Sequence, residues 1–298
     1  MQVLISGASG MVGTAVTAAL ARQGHTVHRL VRPGKELRPG DVRWEPPTGE
    51  LDTVAAEGTD AVVHLAGVSI ADGRLDAKHK EQVRASRVDA TRHLVSGLAR
   101  LKRCPRVLVA ASAVGYYGNR GDELLTEESS AGSDFLSSVC VEWEKEARRA
   151  EESGIRVVNL RFGMILWPKG GALERMLLPF KFGSGGRLGS GKQWWSWLTL
   201  PDAVCLVQFA IENDALRGPV NAVAPNPVRN IEFTKTLGKV LRRPTIFPAP
   251  GFALRIALGE MADALLLASQ RAVPKRLEAA GYNFQHSELR TSLELLLQ

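Results

Sequence analysis

Three hydroxyl side chains lie together, Ser112 at the end of the apolar run RVLVAAS (106–112) and Tyr116 and Tyr117 just past it, and a carboxylate, Glu144, follows in the next helical segment. A phenol or carboxylate held over a reacting oxygen can move a proton to or from it, so these four are the candidates for chemistry. Cys140 could act as a nucleophile, but no histidine stands near it in the sequence to activate it, and it reads as a small packed residue. A second group of residues holds rather than reacts. In ISGASGMVG (5–13), Gly7, Gly10 and Gly13 fall between an apolar run and a helical pattern, where backbone amides and the positive end of a helix meet an anion. The first glycine permits positive φ, the middle one lets a pyrophosphate approach the backbone, and the last allows close helix–strand packing. A dinucleotide cradle lined by Gly7, Ser9, Gly10, Met11, Val12 and Gly13 is expected.

The end of the second apolar run decides which dinucleotide. An acid there would bond the ribose hydroxyls and repel a 2′-phosphate, but the run ends RLVRPGK, with the first acid, Glu36, beyond the proline. Arg32 is placed to pair with a 2′-phosphate in forked geometry, which favours NADP(H). A later run, GRLGSGKQ (186–193), imitates a nucleoside-triphosphate loop. Gln193 occupies the position of the magnesium-binding hydroxyl, and an aromatic strand follows instead of a helix, so a flexible substrate-side loop is the better reading.

Short apolar runs alternating with helical patterns must position these residues. QVLIS (2–6), HTVHRLV (25–31), DAVVHLA (60–66), RVLVAAS (106–112) and IRVVNLRFG (155–163) read as strands. Helices are predicted over 11–23, over LDAKHKEQVRASRVDATRHLVSGLAR and over 135–152. His64, mid-strand, reads as a satisfied core residue. This rhythm predicts an α/β fold with a doubly wound parallel Rossmann sheet and a smaller C-terminal substrate-side domain. The dinucleotide-binding domain is placed at 1–165, with 195–224 returning to it. The substrate-side region is placed at 166–298 and includes a small helical domain from about 248.

Composition narrows the function. The chain has 298 residues, 45% hydrophobic and 23% charged, with a formal net charge of +7 spread over short basic clusters with interleaved acids. No nucleic-acid-binding pattern appears, no window suits a membrane span, and nothing points to an oligomeric state. Three cysteines without paired spacing suggest neither disulfides nor a metal site, and a reducing cytoplasm fits them. A small-molecule substrate is the expected partner.

Taken with LISGASGMVG, the segments HLAG (64–67), SAVGYYG (112–118) and LRFGMIL (160–166) resemble the extended short-chain dehydrogenase/reductases. VEWEKEA (141–147), GGAL (170–173), the segments over 183–233 and the tail QRAVPKRLEAAGYNF resemble its atypical "epimerase family protein" branch within the NAD-dependent epimerase/dehydratase superfamily. The resemblance implies that Leu65, Ala66 and Gly67 line the adenine and ribose side, that Arg87 contacts the cofactor and that Met164 flanks the nicotinamide. It also implies that Ser112 bonds the reacting oxygen. One departure stands out. The superfamily's Tyr-x-x-x-Lys pair falls on FLSSVCVEWEKEA, where Cys140 and Glu144 replace it and Lys145 comes one residue too late. A phenol from the loop could replace the missing acid, with Tyr117 expected because its Tyr-Gly pair matches the superfamily's, or else Glu144. Gln193, Trp194 and Trp195 would wall the substrate or simply pack, with Trp197 and Asp202 anchoring their loop. The expectation is an NADP(H)-binding oxidoreductase or epimerase-like enzyme acting on a small carbonyl, alcohol or nucleotide-sugar-like substrate; the alternative is a non-catalytic NADP(H)-binding redox sensor.

Overall fold

The run QVLIS becomes β1 (Gln2–Ser6), buried at four of its five residues, and the glycine turn after it opens α1 (Met11–Arg22). A computed structural model describes residues 1–298. The chain continues through β2 (Thr26–Val31), β3 (Val42–Glu45), β4 (Glu50–Leu51), α2 (Thr53–Ala56), β5 (Ala61–His64), α3 (Ala77–Ala85), α4 (Val88–Leu98) and β6 (Val107–Ala113). It then forms β7 (Leu124–Leu125), α5 (Phe135–Arg148), β8 (Arg156–Phe162), β9 (Met164–Leu166), α6 (Gly171–Lys181), β10 (Trp194–Trp195), β11 (Trp197–Thr199) and α7 (Leu200–Glu212). β12 (Gly218–Ala222), β13 (Val228–Arg229), α8 (Asn230–Leu241), α9 (Gly251–Leu258), β14 (Arg271–Ala272), α10 (Lys275–Ala279) and α11 (Leu289–Leu296) complete it.

Eight strands form one sheet in the order β12-β8-β6-β5-β1-β2-β3-β4. Every neighbouring pair is parallel except β3 with β4. The strands read as near-continuous apolar runs because helices cover both faces. Val3, Ile5, Val63, Val109 and Leu160 meet Val16 and Leu20 of α1 and Leu206, Val207 and Ala210 of α7 on one face. Leu4, Val62, Leu108 and Val157 meet Leu94 and Leu98 of α4 and Ala147 of α5 on the other. The chain winds out from β1 in both directions, so the crevice between the ends of β1 and β5 is the switch point where such sheets take ligands.

Three local expectations need correcting. The long helix predicted through ASR breaks into α3 and α4, because Ser86 Oγ donates back to the Val83 carbonyl and accepts the Val68 amide. Arg87 sits in the break and donates to the Val68 carbonyl (3.0 Å), so tertiary contacts override a continuous helical pattern. The β3–β4 hairpin was not foreseen; it is short and held by Trp44 and Leu51, paired in register and both buried. WWSWLTL is two short strands: β10 pairs antiparallel with β13, and β11 pairs parallel with β9.

Beyond Leu166 a separate core gathers Leu173 and Phe180 of α6, Trp195, Trp197, Phe233 of α8, and Leu289 and Leu293 of α11. α7 and β12 return to the main sheet. Asp202 has no exposed surface and fastens the tail: it accepts the backbone amides of Gln285 and His286 and pairs with His286 Nδ1 at 2.9 Å.

Candidate functional site

The glycine turn has the geometry of a cradle. Gly7 adopts φ +70°, and a Cβ there would lie 2.8 Å from the backbone of Leu65 and Ala66, so the turns after β1 and β5 touch. A Cβ on Gly13 would lie 2.1 Å from the Gly7 carbonyl oxygen, which makes glycine obligatory for seating α1 on β1. Gly10 caps α1 with extended backbone and no side-chain bond, and no acid occupies the first turn, so the helix's free amides face outward. Ser9 and Gly10 are exposed, whereas Met11 and Val12 are half-buried. The Met11 thioether lies against Gly170, closing one flank of the groove with the turn before α6.

A buried relay steadies the neighbouring turn. Ser6 Oγ accepts the amides of Leu65 and Ala66 and bonds His64 Nδ1 at 2.5 Å, while His64 Nε2 meets Thr91 Oγ1 at 2.9 Å. Burial pushes the His64 imidazole down to about 4, so it is neutral near pH 7 and serves structure, as its mid-strand position suggested. Arg87 supports Gly67 from behind: its guanidinium carbon stands 3.3 Å from where a Gly67 Cβ would be. Burial lowers its pKa, and its ring partner is Trp143.

At the end of β2 the two arginines part company. Arg29 is committed to Asp41 through two hydrogen bonds of 2.7 and 2.5 Å. Burial would raise the Asp41 carboxyl, but those bonds and the Arg38 amide carry it below its ordinary range. Arg32, one residue past β2, is exposed and without an acidic partner.

The region expected to carry the chemistry holds a residue that the sequence reading passed over. Arg161, on β8, is 2% exposed and clamps Glu144 with Nε–Oε1 and Nη2–Oε2 distances of 2.7 and 2.8 Å. Ser112 Oγ donates to the same Glu144 Oε1 at 2.7 Å. Burial would lower the Arg161 pKa, but the bond to Glu144 and its charge raise it further, so the guanidinium stays charged. Glu144 therefore stands in a neutralised pair, as counter-ion to a buried cation and not as a free acid or base. Ser112 spends its own proton on that pair and can only accept from a substrate. A second arginine inside the run IRVVNLRFG, beyond the Arg156 that opens the strand, was the signal for Arg161, because a buried charge must be paired.

Tyr117, expected as the proton donor, is corrected by its surroundings. It has no exposed surface; its hydroxyl faces Asn221 Oδ1 at 2.6 Å and the Thr126 carbonyl at 2.9 Å, and it accepts Arg161 Nη1 at 3.0 Å. Burial raises its pKa despite the nearby guanidinium. Tyr116 is half-buried, forms no hydrogen bond from its hydroxyl within the chain, and stacks its ring 3.4 Å from the Arg161 guanidinium carbon. Cys140 is buried and pushed up to about 12, by desolvation first and the Glu144 charge second, and is inert as a nucleophile. Lys145 points to solvent.

On the substrate side Gln193 is buried and holds its loop through the Leu188 and Leu266 carbonyls. Trp195 packs on Phe233, and Trp197 is wholly buried with its indole nitrogen on the Asn226 carbonyl. Of the expected aromatic wall, Trp194 alone keeps an open, half-buried ring. Met164 is half-buried, and its amide donates to the Ser196 carbonyl at 2.8 Å. No group of three His, Cys, Asp or Glu side chains could hold a metal ion, and no helix is long and apolar enough to cross a membrane.

A doubly wound sheet with a glycine cradle at its switch point defines a Rossmann-type NAD(P)-binding protein. The chain belongs to the NAD dependent epimerase/dehydratase family, whose model matches residues 3–222. A second match, over 249–296, is to a domain of unknown function, DUF1731. The chain is similar to an epimerase family protein of Mycobacterium bovis, 45% identical over 98% of this chain and 96% of that one. It is also similar to an epimerase family protein of Bacillus subtilis, 40% identical over 100% of this chain and 98% of the other. Among solved structures, the human epimerase family protein SDR39U1 (isoform 2) with NADPH superposes with a TM-score of 0.90 at 32% identity, covering 99% of both chains.

Proposed function

We propose that this chain binds NADP(H) and reduces the carbonyl group of a small substrate, with Tyr116 delivering the proton. Gly7, Gly10 and Gly13, with Ser9, Met11 and Val12, would hold the pyrophosphate. Leu65, Ala66 and Gly67, supported by Arg87, would line the adenosine side, and Met164 would flank the nicotinamide. The choice of NADP(H) rests on Arg32, which stands uncommitted while Arg29 is tied to Asp41. The human relative's structure, solved with NADPH, supports it. NADPH should bind at least tenfold tighter than NADH, a difference of about 1.4 kcal/mol or more. Arg32→Ala should remove most of that gap; equal affinities in the wild type, measured by calorimetry, would overturn the assignment.

When bound, the cofactor would supply the hydride to the carbonyl carbon. The oxygen that gains the electron pair needs a proton, and one observation carries the choice of donor: among Ser112, Tyr116, Tyr117 and Glu144, Tyr116 alone keeps an uncommitted acidic hydrogen. Ser112 would hold the substrate oxygen's environment polar, and the buried Arg161 would place positive charge beneath the Tyr116 ring. Tyr116→Phe should lower kcat at least a hundredfold, within the range for removing a general acid, while leaving the NADPH Kd unchanged. Tyr117→Phe should instead lower stability by about 1–3 kcal/mol, through unpaired buried groups, without a selective loss of kcat. Turnover that survives Tyr116→Phe rules that donor out.

The alternative reading is a redox sensor, and the Glu144–Arg161 pair favours it, since the residue at the usual lysine position is tied up in a neutralised ion pair and the usual tyrosine position holds the buried Cys140. If no carbonyl compound oxidises bound NADPH in a screen, while NADPH protects residues 249–296 from proteolysis, the sensor reading replaces the reductase.

A further inference from the structure

Arg271 is a cation without a counter-ion. It lies on β14, half-buried, with its guanidinium carbon 4.4 Å from the centre of the Trp194 ring. Its Nε is buried and meets no acceptor, and none of its donors forms a hydrogen bond or ion pair within the chain. A guanidinium carries five N–H donors in a fixed fork that fits carboxylate and phosphate oxygens. A second guanidinium, Arg229, stands over the same indole at 4.6 Å and donates to the Lys192 carbonyl. Two like charges on one ring repel each other, and a single carboxylate answers them. Asp122 accepts the Trp194 indole N–H at 2.9 Å and pairs with Arg229 at 3.1 Å. The Trp194 bond first, then Arg229 and the more distant charge of Arg271, lower the Asp122 pKa, but Arg229 alone pairs with it. One positive charge is left over.

The segments that carry this cluster are also tied to those that carry the proposed site. Asp122 lies on the loop that follows Tyr116, and that loop is sewn to the Arg271 segment: the Arg120 amide donates to the Ser269 carbonyl, and Ser269 Oγ donates to the Gly121 carbonyl. From the other side, the Ser196 carbonyl receives the Met164 amide, and Trp194 lies two residues before Ser196. Chain reach then puts the Trp194 backbone within about 10 Å of Met164.

We propose that Arg271, with Arg229 and the Trp194 ring, binds an anionic group of the substrate, a phosphate or a carboxylate. The inference rests on the reductase reading for the word substrate, but the site itself is a binding site and is tested as one. Its ligand places one or two anionic oxygens on the Arg271 fork, and the indole supplies a flat apolar floor.

The test is calorimetric titration of inorganic pyrophosphate, and in parallel malonate, into protein saturated with NADP+, so that the glycine cradle is already filled. The wild type should bind at least one of the two at a single site; pyrophosphate alone identifies a phosphate ligand and malonate alone a carboxylate ligand. Arg271→Gln keeps a planar polar head without the charge. It should weaken binding at least tenfold, with its melting temperature and NADP+ affinity near those of the wild type. Trp194→Phe, which retains an aromatic floor, should weaken it less. Failure of both anions to bind the wild type, or equal affinity in Arg271→Gln, overturns the proposal. No turnover is measured, so the outcomes separate: an intact anion site in a protein without reductase activity leaves this site standing, and Tyr116-dependent turnover without an anion site removes it alone.

Discussion

Replacing Glu144 with alanine should destabilise the fold by about 3–5 kcal/mol, the cost of leaving a buried charge without its partner. Arg161 is 2% exposed and cannot reach water when Glu144 is gone, and a guanidinium does not give up its proton near neutral pH, so the charge stays buried. The Ser112 hydroxyl would lose its acceptor as well. Urea denaturation should show a fall in midpoint at an unchanged slope, with NADPH raising the midpoint of both proteins. Replacing the pair together, Glu144→Leu with Arg161→Met, should recover much of the loss, because a buried ion pair exchanged for apolar groups of similar volume is often neutral or stabilising. If Glu144→Ala unfolds at the wild-type midpoint, the clamp is not holding a buried charge, and Glu144 becomes available for proton transfer again.

The second large effect concerns the cradle. Gly10→Val should lower NADPH affinity at least a hundredfold, about 2.7 kcal/mol, while the protein stays folded. The backbone there is ordinary extended structure, φ −77° and ψ 169°, which a branched residue accepts, and a Cβ would meet only the Gly7 carbonyl oxygen, at 3.3 Å. The new methyls would therefore project where the pyrophosphate must come, not into the protein. Gly13→Ala is the contrasting variant: its methyl would collide with the Gly7 backbone at 2.1 Å, so it should lose stability together with binding. Circular dichroism distinguishes the two. Normal NADPH binding by Gly10→Val would reduce the turn to a structural device.

The main sheet was legible because strands covered on both faces have no polar alternation to confuse the reading; AVVH in β5 is buried at all four positions. The hairpin of β3 and β4 escaped notice because four and two residues carry too little pattern. The break at Ser86 could not be seen either, since its cause is the Val68 amide, distant in sequence. Around the candidate site the sequence pointed to a loop with two tyrosines, and the structure separates them. A Tyr-Gly match favoured Tyr117, whereas burial against Asn221 decides against it, and that contact joins residues 104 positions apart. Arg161 was readable in principle, as a charge near the end of a buried strand, once the question of its partner is asked.

The winding of the sheet also governs how the protein can be made. On a ribosome β1 emerges first and becomes the centre of the sheet, with later strands adding outward to β8. At that stage β8 is an open edge, and the face carrying Val63, Val109, Val158 and Leu160 has only α1 over it. Its remaining cover, Leu206, Val207 and Ala210 of α7, and the edge partner β12 follow some forty to sixty residues later, with the entire α6 excursion in between. A nascent chain must therefore carry a naked apolar face and an unpaired strand through that interval, the condition in which chains pair wrongly or recruit a chaperone. A fragment ending at residue 165 keeps every cradle glycine and both tyrosines, yet it should leave the ribosome as an aggregating species and not as a small NADP-binding domain.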